Sequence, residues 1–254
     1  MMKFIEKPNL PQNKVKLVIC GKLPTFISQF LAEKGIDFFE TEENSAADVA
    51  VRTHADMVAV HLGGNKVFVE KNQKKLIENL RGNGFDVITS QSSTDGAYPN
   101  DIGLNVALFG NFAVGNFRYT DTELLNSISD YKSISVRQGY SKCSILPVNE
   151  KAVITDDSSI YVALKTFCDV LLINKGDITL SGHDYGFVGG AAAKISKNEI
   201  LFFGDITKHR DYNAIASFLK KYGCKAVYIE GEALNDFGGF VTLKEERLDL
   251  LSNT

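Results

Sequence analysis

Seven side chains of this 254-residue chain are of the types, and stand at the intervals, that nucleophilic catalysis on a cationic substrate requires. Cys143 is a candidate nucleophile and His54 a candidate proton carrier, with Asp56 two residues beyond it. Asp101, His183, Asp184 and Asp236 add three carboxylates and a second imidazole. A thiolate attacks an electrophilic carbon and divides one difficult displacement into two easier ones. An imidazole can protonate the departing nitrogen and then activate water, a role worth roughly 10²–10⁴ in rate. Paired carboxylates supply the bidentate hydrogen bonds that hold a planar guanidinium or amidinium. Each residue has an ordinary reading as well. Cys143 could be a small buried hydrophobe, His54 a satisfied core histidine, and the aspartates turn residues beside Gly or Pro.

The elements that must position these residues form a repeat. Four apolar strands each run into a polar pivot and then an amphipathic helix, and the pivots Glu70, Asn116, Asp156 and Asp205 follow one another at 46, 40 and 49 residues. The full unit is strand, tight turn, strand, helix, strand, as in Asp56–Leu62, the Gly63-Gly64-Asn65-Lys66 turn, Lys66–Glu70, Gln73–Leu80 and Phe85–Ile88. A period of roughly 45 residues marks a repeated supersecondary unit, and a ring of such units gathers equivalent positions at its centre. The segment from Val15 to about residue 41 lacks an opening strand, and the last strand, Gly239–Leu243, lacks a helix, so the second can complete the first and close the ring. On this phasing His54, Asp101, Cys143, Asp184 and Asp236 stand at the entrances of successive units. Asp156, Asp157 and Asp205 fall at helix starts as caps. His61 and His209 read as solvated caps. Thr25, after Pro24, is the expected cap of the first helix, and Gly35 its stop. The polar run Ser90–Gly96 is the best loop candidate to cover a site. An open α/β sheet of the same units, without circular symmetry, fits the periodicity too.

Composition narrows the setting. A formal charge of −3, no Lys/Arg block and no basic–aromatic interleaving argue against nucleic acid and anionic membrane as partners. No window reaches the ~18 apolar residues of a membrane span, and the N-terminal residues lack the apolar region of a signal peptide. Cys20, Cys143, Cys168 and Cys224 have no metal-ligand or disulfide-framework spacing, which implies a reduced, cytoplasmic protein without a structural metal. A homo-oligomer is left open.

The motifs at the entrances resemble those of the pentein superfamily, the five-bladed ββαβ ring of guanidino-group-modifying enzymes. Thr53-His54-Ala55-Asp56 is similar to the H-x-D motif that carries the family's catalytic histidine. Lys142-Cys143-Ser144, two periods later, is similar to the C-[IMLW]-[ST] of its nucleophile, and His183-Asp184-Tyr185-Gly186-Phe187 to its R-D-P-F, with the arginine and proline missing. Where the family has E-G-G-D, this chain has Phe237-Gly238-Gly239-Phe240, with Asp236 one position early. Most members place the cysteine near the C-terminus, so the resemblance implies a divergent, circularly permuted chain with the cyclic order kept, like some poorly characterised bacterial members.

The resemblance implies one α/β pentein domain over residues 1–254. Its blades lie at 15–41 with 237–245, 54–90, 101–138, 143–177 and 184–231. It implies a hydrolase or amidinotransferase acting through a covalent Cys143 intermediate, with His54 and Asp56 catalytic, Asp184, Asp236, Asp101 and His183 facing a small guanidine or amidine, and no metal or organic cofactor. Phe237 and Phe240 would make one wall of the site apolar. The alternative is a non-catalytic pentein that binds a protein, similar to the ribosome anti-association factor of this fold.

Overall fold

The computed structural model describes residues 1–94 and 96–247. In chain order its first elements are β1 (Met2–Phe4), β2 (Val15–Cys20), α1 (Thr25–Lys34) and β3 (Asp37–Glu40), then α2 (Ala55–Val58), β4 (Ala59–Gly63), β5 (Lys66–Val69), α3 (Lys74–Gly82) and β6 (Asp86–Thr89). β7 (Ala107–Phe109), β8 (Phe112–Gly115), α4 (Thr122–Ser127) and β9 (Lys132–Ser135) follow, and then β10 (Ile145–Asn149), β11 (Ala152–Thr155), α5 (Ser158–Leu164) and β12 (Asp169–Leu172). The last are β13 (Ala192–Ser196), β14 (Glu199–Phe202), α6 (Tyr212–Lys221), β15 (Lys225–Val227) and β16 (Val241–Glu246).

These strands make five small sheets with one pattern. In β4-β5-β6, β7-β8-β9, β10-β11-β12 and β13-β14-β15 the first two strands are antiparallel and the third returns parallel to the second through a helix. The crossover follows from the helix, which must pack its apolar stripe back on its own sheet. α3 buries Leu76 and Leu80, α5 Ile160 and Leu164, and α6 Ile215 and Leu219, each pair one helical turn apart. The remaining sheet, β1-β16-β2-β3, draws on both ends of the chain, because β16 pairs antiparallel with β2 at Val241–Ile19 and with β1 at Lys3–Glu245. β1 carries no sequence alternation of its own and is held by its pairing with β16 and by Phe4, which packs edge-on to Phe85 at 4.9 Å.

Each of five large apolar clusters is shared by two sheets. Val67, Val69 and Leu243 join the β16-β2 sheet to the β4 sheet, and Val60, Phe68 and Leu108 join the β4 and β7 sheets. Phe109, Val114 and Val153 join the β7 and β10 sheets, and Ile154, Ile200 and Phe202 the β10 and β13 sheets. Val18, Leu201 and Phe203 bring the β13 sheet against the β16-β2 sheet.

Two local expectations are corrected. Thr25 is the first residue of α1, whose cap is Pro24 with no side-chain hydrogen bond, while Gly35 does end the helix at φ 61°. The stretch Ala55–Val58 is a helical turn rather than the start of a strand. Its Asp56 amide donates to the Gly238 carbonyl at 3.2 Å, a partner outside any ladder that β pairing would forfeit.

Leu243, fully buried between two sheets, is the test of the terminal pairing. Leu243→Ala is expected to cost about 2–5 kcal/mol in urea unfolding, whereas Met2→Ala, on exposed β1, should change stability by less than about 0.5 kcal/mol.

Candidate active site

Each sheet's first strand is preceded by a turn, and the five turns are hydrogen-bonded to one another. The Cys143 carbonyl accepts from the Gly189 and Gly190 amides at 2.7 and 3.0 Å, and the Gly190 carbonyl accepts from Phe237 and Gly239 at 3.0 and 2.8 Å. The Gly238 carbonyl accepts from the Asp56 amide, whose own carbonyl accepts from Asn105 Nδ2 at 3.1 Å. Asn105 Oδ1 in turn accepts from the Lys142 amide at 2.7 Å, which returns to the turn of Cys143. The circuit therefore passes through all five sheets, and Asn105 is the one member that joins it by a side chain. Counted from the strand starts, Met57, Asn105, Cys143, Gly190 and Gly239 hold the same position, two residues before β4, β7, β10, β13 and β16.

Glycine is required here by space. A Cβ on Gly190 would stand 2.0 Å from Asp236 Oδ1, and one on Gly238, at φ 80°, would stand 2.4 Å from the Cβ of His54. These two absences let His54 and Asp236 approach the turn of Cys143.

The Cys143 thiol is buried and receives Asn105 Nδ2 at 3.1 Å. Burial pushes its pKa well above the ordinary thiol range, the Asp56 and Asp236 carboxylates push it further, and only the Asn105 amide opposes them. His54 caps α2, with Nδ1 3.8 Å from Asp236 Oδ1. Asp236 is anchored, because Oδ2 accepts from the Phe187 amide and Oδ1 from the Gly238 amide, both at 2.9 Å. Asp56 is not anchored. It is 1 % exposed, and neither carboxylate oxygen accepts a well-formed hydrogen bond among the described residues. Burial and the charge of Asp236 raise its pKa to about 6, against the pull of His54, Lys142 and the Cys143 thiol.

A cavity of about 270 Å³ opens over these groups. It is lined by Cys143, His54 and Asp236, by Tyr140, Tyr185 and Phe187, by Val51 and Leu180, and by Asp48, His183 and Asp184. Five of the seven expected site residues thus share one cavity. Asp56 is buried beside it, and Asp101 stands behind it, accepting the Tyr140 hydroxyl at 2.8 Å. His183 and Asp184 are exposed, and His183 Nε2 lies 3.3 Å from Asp48.

Several expectations change. Phe237 and Phe240 do not wall the cavity; they pack on Phe203 between two sheets, Phe240 at a ring distance of 4.5 Å. Asp157 caps α5, accepting from Ser159 and Ile160, and Asp205 likewise accepts from Thr207, but Asp156 is not a cap. It is buried, accepts from the Val188 amide at 2.8 Å, and has its pKa raised to about 7, chiefly by burial, with the neighbouring Asp157 and Asp236 charges adding. His61 and His209 are buried rather than solvated, and burial lowers both imidazole pKa values. Of the run Ser90–Gly96, Ser92, Ser93 and Thr94 line a different cleft and Asp95 lies outside the described residues; the segment before α2 reaches the site through Asp48 and Val51. Among the described residues, no three His, Cys, Asp or Glu side chains are placed to hold a metal ion, and no helix is long and apolar enough to cross a membrane.

Asn105 and Asp48 were not singled out from the sequence. The signal for Asn105 was available in phase counted from strand starts, which puts it level with Cys143, four residues after Asp101.

The fold has solved counterparts. An amidinotransferase of the saxitoxin biosynthetic pathway from Microseira wollei matches with a TM-score of 0.61 and 9% identity over 99% of both chains. Inosamine-phosphate amidinotransferase from Streptomyces griseus matches with 0.60 and 10% over 96% of this chain and 98% of that one. DDAH from Pseudomonas aeruginosa, as a cysteine-to-serine mutant complexed with citrulline, matches with 0.57 and 7% over 91% and 99%. The chain therefore has the pentein fold. It belongs to the family of unknown function DUF6873, whose model matches residues 18–241. No curated protein matches its sequence.

Two substitutions test the site's physics. Asn105→Ala removes the donor to Sγ, so the midpoint pH for alkylation of Cys143, followed by peptide mass spectrometry, should rise. Asp156 has a folded pKa above its unfolded value, so the native state holds the extra proton and wild-type stability falls as pH rises from about 4 to about 7. Asp156→Asn should escape that loss, so its urea-unfolding advantage over wild type should grow between pH 5 and 8, by on the order of a few kcal/mol.

Proposed function

We propose that this chain is a cysteine-dependent guanidine- or amidine-modifying enzyme that acts through a covalent Cys143 intermediate. The observation that carries the reading is Asp56, a buried carboxylate whose oxygens accept no well-formed hydrogen bond, beside the Cys143 thiol and close to Asp236 and His54. Leaving such a carboxylate unpaired is costly, and a planar cation that donates to it removes the cost. The known amidinotransferases and DDAH of this fold support the same class of chemistry.

On this reading the substrate's guanidinium or amidinium lies between Asp56 and Asp236. Its positive charge offsets the two carboxylates that hold the Cys143 proton, and the thiol becomes a thiolate when substrate is present. His54 accepts that proton. The thiolate attacks the central carbon, the carbon–nitrogen bond breaks, and His54 returns the proton to the departing amine. Water or an acceptor amine, giving a proton to the now neutral His54, then attacks the same carbon, and the carbon–sulfur bond breaks to release Cys143 as the thiolate. Asp236 orients His54 through Nδ1. Tyr140, held by Asp101, lines the site and orders that side of it. His183 and Asp184 meet the far end of the substrate.

We read residues 1–254 as one pentein domain whose five sheets are the blades of a closed ring, with the pairing of β16 on β2 and the hydrogen-bond circuit between turns as its support. We read it as permuted, with the cysteine in a middle blade. Four free cysteines suit a reducing, cytoplasmic setting.

Limiting iodoacetamide should modify Cys143 ahead of Cys20, Cys168 and Cys224 once a guanidine such as butylguanidine is added. Turnover of a guanidine and amidine panel, read as released ammonia or amine, should vanish in Cys143→Ala and fall by roughly 10²–10⁴ in His54→Ala. Unselective alkylation together with no turnover of any panel member would remove the catalytic reading and leave that of a binding protein.

A further inference from the structure

A second reactive pair lies outside the active-site cavity. Lys194, in the middle of β13, is 6 % exposed, and its Nζ donates to Cys224 Sγ at 3.1 Å. Lysine is almost never buried so fully unless a carboxylate pairs with it. Here no carboxylate lies within ion-pair distance among the described residues, and the sulfur is the side-chain partner of the amine. Glu150, which lines the cleft beside Lys194, is paired with Lys7 at 2.5 Å instead. Burial pulls the Lys194 pKa below the usual lysine range, and only Cys224 pulls it back.

Cys224 stands between α6 and β15, buried, with its sulfur 3.6 Å from the Lys197 carbonyl and 3.8 Å from that of Tyr222. The thiol hydrogen therefore has carbonyl acceptors, and a sulfur lone pair is left to face the amine. A cleft of about 260 Å³, lined by Lys194, Lys197, Val148 and Tyr222 among others, gives a molecule as small as hydrogen peroxide a way to the pair. Among the described residues no other cysteine receives a lysine; Cys143 receives an amide, from Asn105.

We propose that Lys194 and Cys224 are an oxidation site at which a peroxide converts the pair into a covalent sulfenamide crosslink. The neutral amine takes the thiol proton, and the thiolate attacks one oxygen of hydrogen peroxide. The oxygen–oxygen bond breaks, the departing hydroxide takes a proton from the ammonium and leaves as water, and Cys224 is left as the sulfenic acid. Sulfur has given two electrons to the peroxide. The amine, neutral again, attacks the sulfur. The sulfur–nitrogen bond forms, the sulfur–oxygen bond breaks, and the hydroxyl leaves with one amine proton as a second water. A separation of 3.1 Å already lies in the near-attack range of roughly 3–3.5 Å. Sulfenic acids condense in this way with backbone nitrogens, and here an amine stands at the sulfur beforehand. The link ties β13 to the segment that follows α6. Two thiols of a reductant reverse it, becoming a disulfide as they restore the free thiol and amine.

The test treats the full native chain with hydrogen peroxide, then denatures it, alkylates it with iodoacetamide and digests it with trypsin. Mass spectrometry should find the Lys194 and Cys224 peptides joined, with a net loss of two hydrogens and no cleavage after Lys194. Dithiothreitol should release them. The urea midpoint of the treated chain should rise, because the link constrains the unfolded state, and Cys224→Ser should abolish both the link and the rise. Lys194→Met removes the amine and Lys194→Arg keeps its charge without a free amine. In either variant Cys224 should be caught by dimedone as the sulfenic acid or go on to the sulfinic acid. Wild-type Cys224 that stays a free thiol, or that becomes a sulfinic acid with Lys194 unmodified, overturns the inference, whether or not the lysine variants fold. So does a link from Cys224 to another cysteine. None of these measurements involves turnover of a guanidine, so the function proposed above stands or falls separately.

Discussion

The structure depends on the circuit of hydrogen bonds that joins the turns ahead of the five first strands. Three of its links are backbone to backbone and two pass through the Asn105 amide, and its members are buried except Phe237, which is half-buried. Leaving one such group unmatched costs roughly 1–3 kcal/mol, so the turns cannot shift independently. That is the property a site assembled from distant residues needs. A misplacement of about 1 Å between reacting groups can cost on the order of 10² in rate. Cys143 and His54 are 89 positions apart in the chain, yet the turns that carry them are held through Gly190 and Gly238, where nothing larger than hydrogen fits.

A second constraint is electrostatic. Asp236 lines the cavity, Asp56 and Asp156 are buried within reach of its charge, and the backbone treats the three differently. Asp236 has an amide on each oxygen, Asp156 has one amide, and Asp56 has none. The order of pKa perturbation does not follow amide count alone, because Asp156 and Asp56 are both raised and each also answers to the charge of Asp236. Together with burial, Asp56 and Asp236 favour the protonated form of the Cys143 thiol.

Much of the fold was legible in the sequence because hydrophobic period and turn residues act locally. The strands, the hairpin at Gly63-Gly64, the helices with their i, i+4 apolar pairs and the stop at Gly35 all follow from nearby residues. The site was legible by residue type. His54, Cys143, His183, Asp184 and Asp236 line one cavity, although their roles are a separate matter. What escaped was set by contacts between sheets. Phasing by polar residues missed the helical turns at Ala55–Val58 and Asn100–Ile102, ahead of β4 and β7, which moved Asp56 off a strand face and left Asp101 behind Tyr140. Asn105 was passed over because an amide has no titration to draw notice, and Asp48 because its segment has neither period nor motif. Asp156 shows the converse error. A carboxylate next to a genuine cap, Asp157, was assigned the cap's role, and only the Val188 amide across the interface distinguishes them.

The cavity is made from two kinds of chain. Its floor belongs to turns locked in the hydrogen-bond circuit, where a substitution disturbs several sheets at once. Its rim, at Asp48, Val51, His183 and Asp184, belongs to connecting segments whose side chains are mostly exposed and bond chiefly to each other. Substitutions at this rim disturb few bonds, whereas the floor cannot change without disturbing the circuit. Change can therefore accumulate at the mouth of the cavity without reaching the bonds that hold its five sheets in register.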